Sequence, residues 1–288
     1  MKTPLYRPSI RTGCARQAGF SLVELMVAIT LGLIVLLAVG SIYIGSRQTY
    51  RVQEENARLQ EAGKYALEAL GHSFRKAGSD GELTFNEATQ PAGFVCGDPA
   101  SGCVPVDNNA PAPAADTIRN QFFTAREELL GGVWGARNCI GGHIAVPAPP
   151  AAPAVVTNIF DRAPDAASTA TGNGLRCRDG AGGAEILVSN LEDFQVMYGI
   201  DTNGDFAADR YVDTPANWDQ VMTARVCILI QSASNGLVPA GQRYLNCAGA
   251  LGTALPGAEF SVAGAGDLRL HRSFVATYNL RNRINVMP

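Results

Sequence analysis

Histidine is scarce in this chain: His72, His143 and His271 are the only three, and no two stand at a metal-ligand spacing such as H-E-x-x-H. No G-x-S-x-G, G-x-x-x-x-G-K or C-x-x-C occurs, which removes the signatures of a serine hydrolase, a P-loop, a dithiol redox centre and a zinc ribbon. The Gly180-Ala-Gly-Gly183 cluster lacks the dinucleotide fingerprint spacing and reads as a loop. Carboxylates are numerous but isolated, so no acid–base pair stands out, and we expect a non-enzyme. Charge is scarce as well, at 17% of residues with a formal net of −3. There is no basic excess to neutralise a phosphate backbone, which argues against nucleic acid as a partner. What is abundant is apolar surface: 47% of 288 residues, too much for a disordered chain and too long a chain for a disulfide miniprotein.

Much of that apolar content sits near the start. Residues 1–19, MKTPLYRPSIRTGCARQAG, carry Lys2, Arg7, Arg11 and Arg16 and no acid. They also lack the central apolar run of about 7 to 15 residues that a secretory signal needs, which disposes of a lipoprotein reading at Cys14 too. Residues 20–44, FSLVELMVAITLGLIVLLAVGSIYI, then run with one ionisable group, Glu24. As a helix at 1.5 Å per residue this stretch spans the roughly 30 Å hydrocarbon core. The basic residues before it set the N-terminus in the cytoplasm and the rest of the chain outside. An ordinary anchor leaves Glu24 unexplained, because a carboxylate early in a membrane helix costs a few kcal/mol unless it meets a partner.

The junction Gly19-Phe20-Ser21-Leu22-Val23-Glu24-Leu25-Met26 resembles the cleavage and methylation motif of prepilins, shared by type IV pilins and type II secretion pseudopilins. The resemblance implies a prepilin peptidase that cuts after Gly19 and methylates the new amino group of Phe20. It also implies that Glu24 pairs with the N-terminal amine of a neighbouring subunit as helices bundle into a fibre. One departure is that many major pilins place a proline about twenty residues into the mature helix, where this chain has Gly40, Ser41 and Gly45.

Past the membrane segment Tyr50, Leu59, Ala62, Ala66, Leu67, Leu70 and Phe74 recur near the spacing of an amphipathic stripe, opposite Arg51, Glu54, Glu55, Arg58, Glu61, Lys64 and Glu68. We expect Tyr50 and Leu59 to contact a core. Gly78, followed by Ser79, Asp80 and Gly81, supplies the stop, for a helix of about 55 residues. Two Ala/Pro tracts, 110–115 and 147–154, exclude helix interior and central strand and read as surface loops. Short alternating runs at 155–160, 184–189, 194–200, 210–212, 221–231 and 268–280 predict an antiparallel sheet. The fold class is therefore α+β: a long N-terminal transmembrane and amphipathic helix packed on an antiparallel β-sheet head with long loops. The organisation is a leader at 1–19, a helix at 20–78 with the span at 20–44, and a β-rich head at 79–288.

Further stretches narrow the resemblance. Leu59-Gln-Glu-Ala-Gly-Lys-Tyr-Ala-Leu67 with Arg75-Lys-Ala-Gly78, Asn190-Leu-Glu-Asp-Phe-Gln-Val-Met-Tyr-Gly199 with Asp201-Thr-Asn-Gly-Asp205, and Phe274 to Arg283 resemble PilW-type minor pilins. Residues 80–180 match no family motif. The resemblance implies an inner-membrane protein that helps prime pilus assembly and forms part of a tip complex at the cell surface. Its implied partners are the prepilin peptidase, other minor pilins, the major pilin, a tip adhesin and inner-membrane lipid. The J-type minor pseudopilins of type II secretion share the helix motif and stand as an alternative, as does a membrane-anchored calcium-dependent binding module.

With the leader removed, six cysteines remain in an exported head: Cys96, Cys103, Cys139, Cys177, Cys227 and Cys247. An even count in an oxidising compartment reads as up to three disulfides, and six cysteines allow 15 pairings. Proximity in sequence favours Cys96 with Cys103 and Cys227 with Cys247, leaving Cys139 with Cys177. Asp201, Asn203, Asp205 and Asp209 place oxygens at loop positions 1, 3, 5 and 9, as calcium loops do. Phe206 and Val212 stand where an EF-hand needs Gly and Glu. The competing reading is an Asn203-Gly204 hairpin turn joining 194–200 to 210–212. No cofactor is required by either reading, and Ca2+ is the one candidate.

Intact-mass and N-terminal analysis of the membrane-extracted protein is expected to show N-methylphenylalanine from Phe20 as the first residue, with a net charge of −7 after four basic residues leave with the leader. Gly19→Leu is expected to retain residues 1–19, because the extended, uncrowded backbone at the cut is lost.

Overall fold

The computed structural model describes residues 19–78, 115–123, 128–129, 133–145, 155–254, 256 and 258–280. Cys14, Cys96, Cys103 and the Ala/Pro tracts, apart from Ala115, lie outside the described residues. The chain divides into two compact units, Met1–Tyr50 and Arg51–Pro288.

The first unit contains the start of α1 (Leu22–Lys76). Its helix contains an 18-residue window with mean hydropathy 2.8, which by length and composition is enough to cross a membrane. The side chains of Leu22, Leu25, Met26, Ile29, Leu33 and Leu37 all stand exposed, as they must if lipid is to be their solvent. Thr30, Ser41 and Thr49 donate their hydroxyls back to the carbonyls of Val27, Ala38 and Gly45 at 2.9, 2.8 and 3.0 Å. That keeps each donor paired without a partner from outside the helix. Gly40, Ser41 and Gly45 lie within the helix without a break. Tyr50, expected at a core contact, is exposed.

In the second unit the remainder of α1 buries one stripe: Leu59, Gly63, Ala66, Leu70, Ser73 and Phe74. Steps of three and four put these residues on one face. Glu55, expected on the polar face, is buried too, and its carboxylate accepts the Ser234 hydroxyl at 2.7 Å. The helix closes where Gly78 takes a positive φ of 75°, and its amide donates to Gln121 O at 2.8 Å.

The stripe meets two sheets rather than the single one expected. The first has the order β1-β5-β6-β7, from β1 (Ile118–Phe123), β5 (Val155–Pro164), β6 (Asn173–Asp179) and β7 (Ala184–Ser189). The second has the order β13-β10-β8-β9, from β8 (Leu191–Ile200), β9 (Arg210–Val212), β10 (Val221–Gln231) and β13 (His271–Asn279). All pairings are antiparallel. Smaller sheets join β2 (Glu128–Leu129), β3 (Val133–Arg137) and β4 (His143–Ala145), and β11 (Arg243–Leu245) with β12 (Phe260–Val262). A short helix, α2 (Cys247–Leu251), follows β11. The strands at 184–189, 210–212 and 221–231 fall where apolar alternation placed them. The segments β1 and β6 escaped that pattern because Arg119, Asn120 and Gln121, and Asn173, Gly174, Arg176 and Arg178, interrupt it.

One core takes in Leu59, Ala66, Leu70 and Phe74 of α1, Ile118, Phe160, Leu175 and Val188 of the first sheet, and Phe194, Val196, Tyr198, Val226, Ile228 and Ile230 of the second. Phe74 is the hinge of this packing, edge-on to Phe160 at 6.2 Å and to Tyr278 at 5.3 Å between ring centroids. Polar bonds register the helix as well. Asn120 Nδ2 donates to Ser73 O at 2.7 Å, Asn158 Nδ2 donates to Ser73 Oγ at 2.7 Å, and the Tyr278 hydroxyl donates to Leu67 O. Burial pushes the Tyr278 phenol up to about 12, so this donor stays protonated at every physiological pH.

Two glycines let β13 approach the helix. A Cβ on Gly63 would stand 2.5 Å from Phe274 Cε2, and one on Gly71 would stand 2.5 Å from Tyr278 Cε1. Gly63→Ala is expected to destabilise the head by about 1–3 kcal/mol through ring displacement, and Phe74→Ala by about 3–5 kcal/mol through the cavity left behind. Urea unfolding of the full-length protein in detergent, followed by near-UV circular dichroism, measures both.

Candidate functional site

At the N-terminal motif Gly19 and Phe20 precede the helix in non-helical backbone, and Phe20 is 83% exposed. Ser21 caps α1: its Oγ accepts the Glu24 amide at 3.2 Å and its carbonyl accepts the Leu25 amide at 3.1 Å. Ser21-Leu22-Val23-Glu24 is thus the S-x-x-E pattern of a capping box, a signal present in the sequence but passed over there. It places Glu24 in the first turn, where the positive end of the helix dipole favours a carboxylate. The cap and the open segment before it present the Gly19–Phe20 bond and the Glu24 carboxylate at one helix end.

The turn between β8 and β9 gathers Asp201, Asn203, Asp205 and Asp209, as the spacing suggested, and these side chains bond groups of the turn itself. Asp201 accepts the amides of Asn203, Gly204 and Phe206 at 3.0, 2.7 and 2.8 Å. Asp209 Oδ2 accepts both the amide and the hydroxyl of Thr202, at 2.7 and 2.6 Å, and Asn203 Nδ2 donates to Asp205 and Asp209. Burial raises the Asp201 pKa, yet the backbone amides outweigh it and hold the carboxyl below its ordinary 3.8. The Thr202 hydroxyl and amide do the same for Asp209. Among the described residues no group of three or more His, Cys, Asp or Glu side chains is placed to hold a metal ion. The connection is longer than a simple Asn203-Gly204 turn. Ile200 pairs with Arg210 across a longer loop, and the positive φ angles fall at Gly204 and Phe206.

Two disulfides lie in the described residues. Cys139 joins Cys177 with Cα atoms 6.2 Å apart, tying the β3–β4 turn to β6, and Cys227 joins Cys247 at 5.6 Å, tying α2 to the middle of β10. The second one braces the excursion between β10 and β13, which a polar cluster also pins. Glu192 at the start of β8 accepts from Gln231 Nε2 at 3.0 Å and from Tyr244 OH at 2.7 Å, and meets His271 Nδ1 at 2.8 Å. His271 is stacked on Tyr244 at 4.0 Å, and its Nε2 lies 3.1 Å from Asp267 Oδ2. Burial pushes the Glu192 pKa up, but the bonds from His271, Tyr244 and Gln231 prevail and hold it below the usual range. Sequence reading missed this cluster because its members are spread over 80 residues and belong to no motif. The three histidines do not converge: His72 is in α1, His143 opens β4 and His271 opens β13.

Comparison with known proteins separates the two ends of the chain. The prokaryotic N-terminal methylation motif matches residues 14–40, around the Ser21 cap and Glu24. The family model described as Type IV Pilus-assembly protein W matches residues 167–282, from the turn before β6 past the end of β13. This chain resembles the PilW-type minor pilins. The PilW-like region holds the whole second sheet, the Asp201–Asp209 turn, the Glu192 cluster and the Cys227–Cys247 disulfide. No curated protein matches the chain. Among solved structures, a type IV-like pilin from Thermus thermophilus is similar at 14% identity, covering 78% of this chain and 98% of that one with a TM-score of 0.41.

Glu192→Ala is expected to cost about 1–3 kcal/mol at neutral pH by leaving Tyr244 and His271 without their acceptor. The folded pKa of Glu192 is depressed, so its contribution is present above the unfolded value near 4.5 and is lost as pH falls through the lower folded value. The stability gap between variant and wild type is therefore expected to close below pH 4.5, which urea midpoints across pH measure.

Proposed function

We propose that the protein is a minor pilin of the type IV pilus that primes assembly and sits in the tip complex. The observation that carries the reading is the pairing, in one chain, of the methylation motif with a PilW-like head. Prepilin peptidase cuts after Gly19 and methylates Phe20. The apolar start of α1 holds the subunit in the inner membrane, N-terminus inside, until it is extracted into the filament. Glu24 takes the charged N-terminal amine of the adjacent subunit, since a carboxylate in an apolar bundle is stable chiefly when paired. The head supplies the surface that other minor pilins, the major pilin and a tip adhesin recognise. Its role is structural and needs no cofactor, and the Asp201–Asp209 turn serves as a self-bonded hairpin rather than a calcium loop.

Deleting the gene is expected to reduce sheared surface pili at least tenfold while the major pilin remains in the membrane and secreted proteins still reach the medium. Normal pili with exoproteins trapped in the periplasm would reassign the protein to the type II secretion pseudopilins. In the complemented strain Glu24→Ala is expected to be processed and inserted normally yet to restore few pili, as counted by electron microscopy.

A further inference from the structure

On the face of the first sheet turned away from α1, strand alternation sets three arginines, two of them paired with a single carboxylate. Phe160, Leu175 and Cys177 point into the core, so their neighbours Ile159, Asp161, Arg176 and Arg178 point outward. Arg119 of β1 and Arg178 of β6 both stand opposite Ile159 of β5, one on either side, and Arg176 stands opposite Asp161. At the usual interstrand spacing of roughly 4.8 Å, the Cα atoms of Arg119 and Arg178 are about 10 Å apart, and those of Arg176 and Arg178 about 7 Å along the strand.

Asp161 does not use up this charge. It accepts the Arg176 fork at 2.9 and 2.8 Å and an Arg178 nitrogen at 2.9 Å. The Nε atoms of Arg178 and Arg119 are closed off from water and have no acceptor. Arg176 and Arg178 share the single Asp161 carboxylate, a local excess of +1 to which Arg119, across β5, adds on a chain whose net charge is negative. The Asp161 carboxylate also holds two of the guanidiniums in fixed orientation, which lowers the entropy that a ligand must spend to order them.

We propose that this arginine face docks an acidic, extended segment of a neighbouring pilin subunit. It rests on the pilin reading for the identity of that neighbour, and on the sheet alone for the chemistry. Alternate carboxylates of an extended segment repeat at about 7 Å, the spacing of Arg176 and Arg178. Carboxylates also match the guanidinium fork two bonds at a time. Arg119, across β5 over the buried Ile159, then meets the far flank of the same segment.

The test uses the full-length protein in a non-ionic detergent and a fluorescent (Glu-Ser)5 peptide, with (Lys-Ser)5 as control. The glutamate peptide is expected to bind wild type, to bind more weakly as salt is raised, and to lose about tenfold or more in affinity in Arg119→Gln/Arg178→Gln, which leaves the Asp161–Arg176 fork intact. Should the double variant fold poorly, Arg119→Gln alone serves, because its Nε has no acceptor to lose. No binding by wild type, or equal binding by the variant, overturns the proposal. So does binding of phosphatidylglycerol vesicles through these arginines with no competition from the peptide, which makes the face a lipid site. In cells the two readings separate: a null strain with normal pili sinks the pilin reading whatever the peptide does. A null strain without pili that Arg119→Gln/Arg178→Gln rescues fully keeps the pilin reading and sinks the docking face.

Discussion

The seating of the second half of α1 against two sheets at once is the constraint on which the head depends. Ser73 and Phe74 are its focus. Phe74 packs edge-on against a ring from each sheet, Phe160 and Tyr278, and Ser73 takes bonds from Asn120 and Asn158 of the first sheet. The helix stripe and the inward faces of both sheets bury one another in a single core. The two glycines matter for the same reason. They remove side chains where Phe274 and Tyr278 must lie, and the nine-residue β13 can then close the second sheet beside β10.

A second level of constraint fixes what leaves and re-enters that sheet. Between β10 and β13 the chain makes a long excursion through β11, α2 and β12. A two-stranded pair and a five-residue helix have little stability of their own. They are held instead by Cys227–Cys247 at one point and by the Glu192, Tyr244 and His271 cluster at another. The disulfide limits the freedom of the unfolded loop, and the cluster satisfies polar groups that would otherwise be buried alone. The outward arginines of the first sheet are a by-product of the same register that sends Phe160 and Leu175 inward, so the core pattern and the charge pattern cannot be changed independently.

Local patterns were legible where one chemical property repeats at a fixed period. The apolar run at 20–44, the stripe from Leu59 to Phe74, the Gly78 stop and the alternating strands at 184–189 and 221–231 are of this kind, and each sits where its period places it. The Gly19 to Met26 junction was legible for a different reason: the N-terminal methylation motif that it matches is a contiguous signal. Other features were hidden. Strands β1 and β6 carry polar residues that become explicable only when Asn120 is seen to bond Ser73, and Arg176 to bond Asp161. Glu55 looked like one more acid on a polar face until Ser234, far along the chain, met its carboxylate. The amides of Asn203, Gly204 and Phe206 that Asp201 accepts were not legible in the spacing of its loop.

By itself, then, the sequence determined the membrane-length helix, its amphipathic continuation, the match to the N-terminal methylation motif and the antiparallel β character of the head, because each depends on neighbours within a turn or a strand. Only the tertiary structure decided that there are two sheets, that Tyr50 stays outside the core, that Glu192 and His271 meet, and that three arginines share one face. Those outcomes depend on contacts between residues tens to hundreds of positions apart, and strand register, which sets them, is written in no single segment.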